Sequence, residues 1–479
     1  MSRVLCAIAQ HAYARPNAVA LASGAMRMSY ADLAREVDAT AFALSGAIRD
    51  GAGCVAVGLG NGPAWVVLDL ALMQLRRASL PLPTFFTPSQ TDAALADAGA
   101  DWLVSATPSG APMQIAGEQV FLRRLDGGAG RLQPGAAKVT YTSGSTGAPK
   151  GVCLSQAQME YVAFSIVERF GVHFAGTHAP LLPLGVLLEN VAGLYSVLLA
   201  GGCYHVEPAD ELGCANPFKP DFERMGAALT RAGATSLILV PELLRGVMAA
   251  CAFGKMSLPR LNLAAVGGAK VAPDLIKAAR SIGLPVFEGY GLTECASVVA
   301  VNAPSGDRLG SVGRPLAHVD LSIQKDGEIV VGGDAFLGYA RRSPHFGVTP
   351  TGDIGHIDDD GFLFVTGRKS NVIITSFGRN VSPEWVESEL LAEPTIRQAL
   401  VFGEGRAELR ALVTPVYPSV ERSVVAASIE RANARLPAYA RIGAFELAAP
   451  FTVEAGELTG NGRPRRQAIL AAHADFVNG

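Results

Sequence analysis

At 479 residues the chain exceeds what one hydrophobic core supports, so two or more domains are expected. Hydrophobic residues make up 49% and charged residues 17%, which excludes a disordered chain and describes a well-buried globular one. A net charge of −3, with no basic run, argues against a nucleic-acid surface.

The 7 cysteines are scattered without CxxC or other metal-ligand spacing, as expected of reduced thiols. Met1 to Ala20 carries Gln10, His11 and Arg15 and lacks the apolar core of a signal peptide. The longest apolar region, Val186 to Gly201, is interrupted by Glu189 and Asn190, so no membrane span is expected. Together these predict a cytoplasmic protein.

In chain order, a short strand is predicted from Arg15-Pro16 to Leu21, with a turn at Ser23-Gly24. Ser29 then opens an amphipathic helix to about Ile48. Val55 to Leu59 reads as a buried strand, Ala64 to Leu75 as a second helix, and Leu80 to Pro83 as the next extended piece. Strand and helix alternate at the spacing of a largely parallel α/β sheet. Lys138 to Tyr141 is strand-like, Ser155 to Phe170 a helix, and Leu187 to Leu199 a long apolar helix. Leu237 to Pro241 and Leu263 to Ala269 each read as a buried strand followed by a turn. Between Asp320 and Gly352 the pattern becomes short alternating strands with Asp326-Gly327 and Gly332-Gly333 turns, an antiparallel section. Asp358 to Gly361 reads as a hairpin turn, not a carboxylate metal site, because Asp and Gly favour that geometry between apolar strands. Beyond Lys369 to Asn371, a helix from Pro383 to Leu391 capped by Ser382, two strands and a helix from about Val420 to Leu436 form a small α+β unit of roughly 110 residues.

One stretch stands apart. Thr142 to Gly151 reads TSGSTGAPKG, with three glycines, hydroxyl side chains and Lys150 directly after a strand. Glycines let backbone N–H groups converge on an anion, and the hydroxyls and lysine add donors and charge. That chemistry suits a polyphosphate. The Walker pattern GxxxxGK[ST] is not met, and composition alone would also allow a flexible linker.

The residue order of this stretch resembles the phosphate-loop signature of the adenylate-forming superfamily, which includes acyl- and aryl-CoA synthetases, peptide-synthetase adenylation domains and beetle luciferases. Further motifs follow in the family's order over nearly the whole chain. The resemblance implies an α/β fold: a large N-terminal domain, residues 1–369, of two helix-packed sheets plus a distorted antiparallel barrel, then a small mobile α+β domain, 370–479. It places Thr142, Ser143, Gly144, Ser145, Thr146, Gly147 and Lys150 at the phosphates of ATP. In Glu288-Gly289-Tyr290-Gly291-Leu292-Thr293-Glu294 it implies adenine stacking by Tyr290, an α-phosphate contact from Thr293 and Mg²⁺ held by Glu294, with Glu288, Gly289 and Gly291 completing the turn. Magnesium prefers such hard oxygen ligands and takes the rest from water and phosphate. Gly267-Gly268-Ala269 resembles the turn bordering adenine, and Asp353 and Arg368 resemble the ribose-binding pair.

Two positions depart from the family pattern. Ser370 stands at the hinge, commonly Asp or Lys, and Arg463 replaces the catalytic lysine of the C-terminal loop. No lysine follows Lys369. Arginine keeps the charge but is planar and forked, so the exchange is not conservative.

The region Leu181 to Asn190 offers no aspartate for an amino group, which argues against an amino-acid substrate. Leu184, Gly185 and Leu188, with Leu182, Val186, Leu187 and Leu194, suit an acyl tunnel, although leucines at such spacing also serve as core. The expectation is ATP-dependent activation of a medium- or long-chain fatty acid, followed by transfer to CoA or to the phosphopantetheine of an acyl carrier protein. The alternative is a non-catalytic or adenylation-impaired relative, motivated by Arg463 and Ser370.

Overall fold

A computed structural model of the chain describes residues 2–48, 53–126, 132–142, 150–216, 218–333, 335–460 and 462–479. Two helix-covered sheets build the N-terminal part. In the first, the parallel strands Val286–Tyr290, Leu263–Val266, Ser236–Leu239, Thr177–His178, Cys203–His205 and Val19–Ser23 lie side by side in that order. The second holds Val55–Gly58 between Ser79–Pro81 and Trp102–Ser105, all parallel, and joins Lys138–Thr142 to Lys150–Leu154 as an antiparallel pair. Val55, Ala56 and Val57 are each fully buried. Continuous apolar runs of this kind are what a strand covered on both faces requires.

The expected helices form where their caps predict. Ser29 and Asp32 close a capping box at the start of Tyr30–Ala47, and Ser155 and Gln158 do the same for Gln156–Phe170. Pro63–Gln74 is buried on every face, Asp69 included.

Two features differ from the sequence reading. The opening residues form a helix, Arg3–Ala14, capped by Ser2, with Val4, Ala7 and Ile8 as its buried face. Those three positions have the i, i+3, i+4 spacing of a helical stripe. The long apolar helix is instead a π-helix, Leu188–Tyr195, running into a short α-helix, Ser196–Ala200. Widening the helix brings the adjacent Glu189 and Asn190 against opposite layers, as their partners below show.

The antiparallel section forms a four-stranded sheet in the order Leu321–Ile323, Glu328–Val331, Thr349–Ile357, Leu363–Arg368. The Asp358–Gly361 turn joins the last two, and Arg308 pairs with Asp358 and Asp360 there. A single 3₁₀ turn, Lys369–Asn371, leads to the C-terminal unit. That unit packs the helices Pro383–Leu391 and Arg422–Arg435 on the sheet Ile396–Phe402, Leu409–Pro415, Ile442–Leu447. Its buried cluster, from Ile373 to Ile442, draws only on its own residues. No helix among the described residues is long and apolar enough to cross a membrane.

Candidate active site

A cavity of about 1730 Å³ lies beyond the carboxyl ends of the parallel strands and reaches the C-terminal unit. In such sheets ligands occupy this edge, where strand ends and loops converge. The turns after two neighbouring strands supply its floor. Gly268 has φ +89°, a conformation glycine adopts without strain, and a Cβ on Gly267 would stand 3.1 Å from the carbonyl oxygen of Gly289. At Gly291 a Cβ would collide with the Ser297 carbonyl. Ala269 and Gly289 also line the space. A flat group can therefore lie directly against backbone here.

Beside this floor, Tyr290 donates its hydroxyl to Asp353 Oδ2 at 2.6 Å, and Arg368 Nε lies 2.8 Å from Oδ1. The pairing of Thr349–Ile357 with Leu363–Arg368 sets Asp353 opposite Arg368. Asp353 is 6% exposed, while Arg368 remains open to solvent. Burial raises the Asp353 pKa, and the charge of Arg368 and the Tyr290 hydrogen bond oppose that rise.

Arg463 enters from the C-terminal unit. Its loop is closed by Thr459 N–H donating to the Arg463 carbonyl (2.9 Å) and Arg463 N–H donating to Thr459 Oγ1 (3.0 Å). Gly460 lets the loop approach Phe85, whose carbonyl oxygen would stand 2.9 Å from an added Cβ. Arg463 Nη2 then reaches the Gly268 carbonyl at 3.4 Å. The side chain is open to the solvent of the cavity, yet crowding there and the charge of Arg368 lower its pKa, with Asp353 and Glu242 opposing. A guanidinium stays charged through such a shift.

A third group gathers around Tyr339. Its hydroxyl donates to Glu294 Oε1 at 3.0 Å, and Lys150 Nζ lies 5.5 Å from its ring centroid. Strand pairing explains the meeting: Lys150 starts the strand Lys150–Leu154, and Tyr339 pairs with Val152. Thr142 pairs with Lys150, while Ser143, Gly144, Ser145, Thr146 and Gly147 lie outside the described residues. Thr293 and Glu294 share a 3₁₀ turn followed by Ala296 and Ser297 at φ 54° and 110°. Left-handed non-glycine backbone is strained and is held only where its surroundings fix it. No group of three or more metal-binding side chains occurs among the described residues.

Two expected positions lie elsewhere. Glu288 faces the core: it is 2% exposed, its Oε2 has no hydrogen-bond partner, and burial pushes its pKa up to about 7 against the charge of Lys270. Alternation along the strand places Glu288 and the cavity-lining Gly289 on opposite faces. Leu184 is 1% exposed in the core, and its N–H is held by Asn61 Oδ1 at 2.8 Å, while Gly185 and Leu188 line the cavity. Tyr339 was not singled out in the sequence. A lone tyrosine in a short strand carries no local signal, and only the pairing with the lysine strand brings it to the site.

A family model described as AMP-binding enzyme matches residues 8–339, and one described as AMP-binding enzyme C-terminal domain matches 370–479. The chain belongs to the AMP-binding enzyme family. Over 155 residues this AMP-binding enzyme is 41% identical to long-chain-fatty-acid–CoA ligase FadD15 of Mycobacterium bovis, a match covering 31% of this chain and 26% of the relative. Over 286 residues it is 32% identical to 2-succinylbenzoate–CoA ligase of Geobacillus kaustophilus, covering 56% of each. These matches span about a quarter and just over half of the relatives' lengths. The fold is similar to that of O-succinylbenzoate coenzyme A synthetase of Bacillus subtilis in complex with ATP and magnesium ion, with a TM-score of 0.77, 22% identity and coverage of 98% and 99% of the two chains.

Proposed function

We propose that this AMP-binding enzyme activates a carboxylic acid with ATP, forming an acyl adenylate and pyrophosphate, and passes the acyl group to a thiol. The observation that carries this reading is the delivery of Arg463 by the C-terminal unit to the Gly268 carbonyl, in the cavity lined by Tyr290, whose hydroxyl is bonded to Asp353. Adenine would lie on the Gly267–Ala269 turn against Tyr290. Asp353, fixed by Tyr290 and Arg368, would accept from the ribose hydroxyls. Lys150 and Thr293 would hold phosphate oxygens. Mg²⁺ at Glu294 would neutralise phosphate charge, with Tyr339 fixing one carboxylate oxygen. Arg463 would stabilise the negative charge that develops as the substrate carboxylate attacks the α-phosphate. Preorganised charge in a water-poor cleft suits that task.

The likeness to CoA ligases supports CoA as the acceptor, and a carrier-protein phosphopantetheine presents the same thiol. Ile238, Val240, Leu263 and Ala265 continue the cavity as an apolar trough, which favours a fatty or other largely apolar acid. Residues 1–369 would hold nucleotide and acid, and 370–479 would swing about Ser370 between the two half-reactions.

Acid-dependent pyrophosphate release with Mg-ATP, over a range of chain lengths, tests the reading. Arg463→Ala should lower kcat by about 10²–10³, or roughly 3–4 kcal/mol of transition-state stabilisation, with an unchanged melting temperature. A wild type silent with every acid, but woken by Arg463→Lys, would instead support the adenylation-impaired reading.

A further inference from the structure

The far end of the cavity is not purely apolar. The strand Ser236–Leu239 is level with Leu263–Val266, Ser236 pairing with Leu263, and His178 pairs with Ser236 on the other side. From the Gly267 turn back to Leu263 is four residues, so Ser236 lies about 13 Å behind the nucleotide floor at ~3.3 Å per residue. Both His178 and Ser236 line the cavity, beside Phe170 and Phe174. They are otherwise enclosed, at 3% and 1% exposure.

Behind them stands a buried relay. His178 Nδ1 lies 2.9 Å from Ser236 Oγ, and Nε2 lies 2.9 Å from Glu189 Oε1. Tyr204 donates its hydroxyl to the same Glu189 oxygen at 3.1 Å and stacks on the His178 ring at 5.5 Å. Glu189 comes from the π-helix and is fully buried, and its Oε2 has no hydrogen-bond partner. Four polar side chains thus hold one another at the end of an apolar trough. A trough that only enclosed methylenes would need none of them.

We propose that Ser236, positioned by His178 and Glu189, hydrogen-bonds a hydroxyl group carried by the distal part of the acyl substrate. The inference rests on the cavity being the acyl site proposed above. A serine hydroxyl has one donor and two acceptor positions, and His178 engages one of these. If the imidazole donates, the serine proton is free to point into the cavity. If the serine donates, a lone pair is free instead. A ligand hydroxyl complements either state, whereas a keto oxygen complements only the first. A second carboxylate could accept in the first state only, and would bring a further negative charge into the enclosed end. Glu189 stands directly behind the station, and the His178 ring already faces its carboxyl group. A buried anion without its own cation is strongly disfavoured. The substrate class is therefore a hydroxylated, otherwise apolar monocarboxylic acid.

The test compares ω-hydroxyalkanoic acids of medium to long chain with unsubstituted acids and α,ω-dicarboxylic acids of matched length. Binding to the full chain is read by calorimetry, and activation by pyrophosphate release. At one chain length the hydroxy acid should bind at least about tenfold more tightly than the unsubstituted acid, because the latter leaves the station unpaired. The dicarboxylic acid should bind more weakly than either. Ser236→Ala should bring the hydroxy-to-unsubstituted ratio to about one, and Ser236→Thr, which keeps a hydroxyl, should restore a preference. Equal binding of hydroxy and unsubstituted acids by the wild type at every length, or a preference that survives Ser236→Ala, overturns the proposal. A binding preference without pyrophosphate release upholds the station while removing the activation reading.

Discussion

Two charged clusters in this enzyme use the same chemistry to opposite ends. In the first, Lys138 Nζ lies 2.7 Å from Asp69 Oδ1, 2.5 Å from Asn190 Oδ1 and 3.2 Å from the Tyr195 hydroxyl. Tyr195 and Asn190 each donate to Asp69 Oδ2, at 2.6 and 3.2 Å. Lys138 and Asp69 are each 2% exposed, and burial lowers the lysine pKa while Asp69 opposes the shift. In the second cluster Tyr290 hydrogen-bonds Asp353, which is ion-paired with Arg368, but Arg368 is 47% exposed and Tyr290 lines the cavity. The sealed cluster is closed among protein partners and has no place for a ligand. The open one holds a buried carboxylate between a tyrosine that lines the cavity and an arginine that reaches solvent. Closure among protein partners and exposure of the cation, not charge alone, separate the two clusters.

The sealed cluster still has a place in the site. Lys138 begins the strand that ends at Thr142, and Asn190 and Tyr195 belong to the π-helix. Its neighbour Glu189 reaches the opposite sheet through His178. The π-helix thus ties the strand Lys138–Thr142 to the cavity wall at His178 and Ser236.

Disturbing each cluster in turn sharpens the contrast. The largest effect should come from Lys138→Met, which leaves Asp69 buried without its counter-ion. We expect a loss of about 3–5 kcal/mol in urea unfolding. A loss under ~1 kcal/mol would show that the cluster is not sealed. Next comes Glu288→Gln, a buried carboxylate that no ion pair closes. Its folded pKa of about 7 lies above the usual carboxylate value, so the folded state favours the protonated form. The associated stability is fully present below about pH 4.5 and is lost as pH rises through about 7. The variant should therefore be more stable than wild type at pH 8, by at most about 3 kcal/mol, and the gain should fade toward pH 5. A pH-independent difference would rule this out. The smallest stability effect should come from Arg368→Met, below about 1 kcal/mol because the ion pair is half exposed. Its signature should instead be a raised KM for ATP. A large fall in melting temperature with unchanged KM would place Arg368 with the structural cluster.

Much of this was legible in the sequence because it rests on local rules. Helix starts were legible at Ser29 and Ser155 and at the Ser382 cap, and apolar runs such as Val55 to Val57 marked buried strands. The order of TSGSTGAPKG, the Tyr290–Glu294 turn, Asp353, Arg368 and Arg463 along the chain points to the candidate chemistry. What stayed hidden depends on contacts between residues far apart in the chain. Glu288 and Leu184 sit inside or beside the right motifs, but strand alternation and core packing turn them away from the cavity. Tyr339 meets Glu294 across 45 residues, and His178 meets Ser236 across 58. Glu189 and Asn190 read as interruptions in an apolar helix until the π-helix sends one to each sheet. Sequence alone determined the elements and the reactive residue types, because propensity, capping and motif order act over a few residues. The tertiary structure alone decided which side chains face the cavity and which polar groups close on one another, because burial and hydrogen-bond satisfaction are set by neighbours that chain order does not reveal.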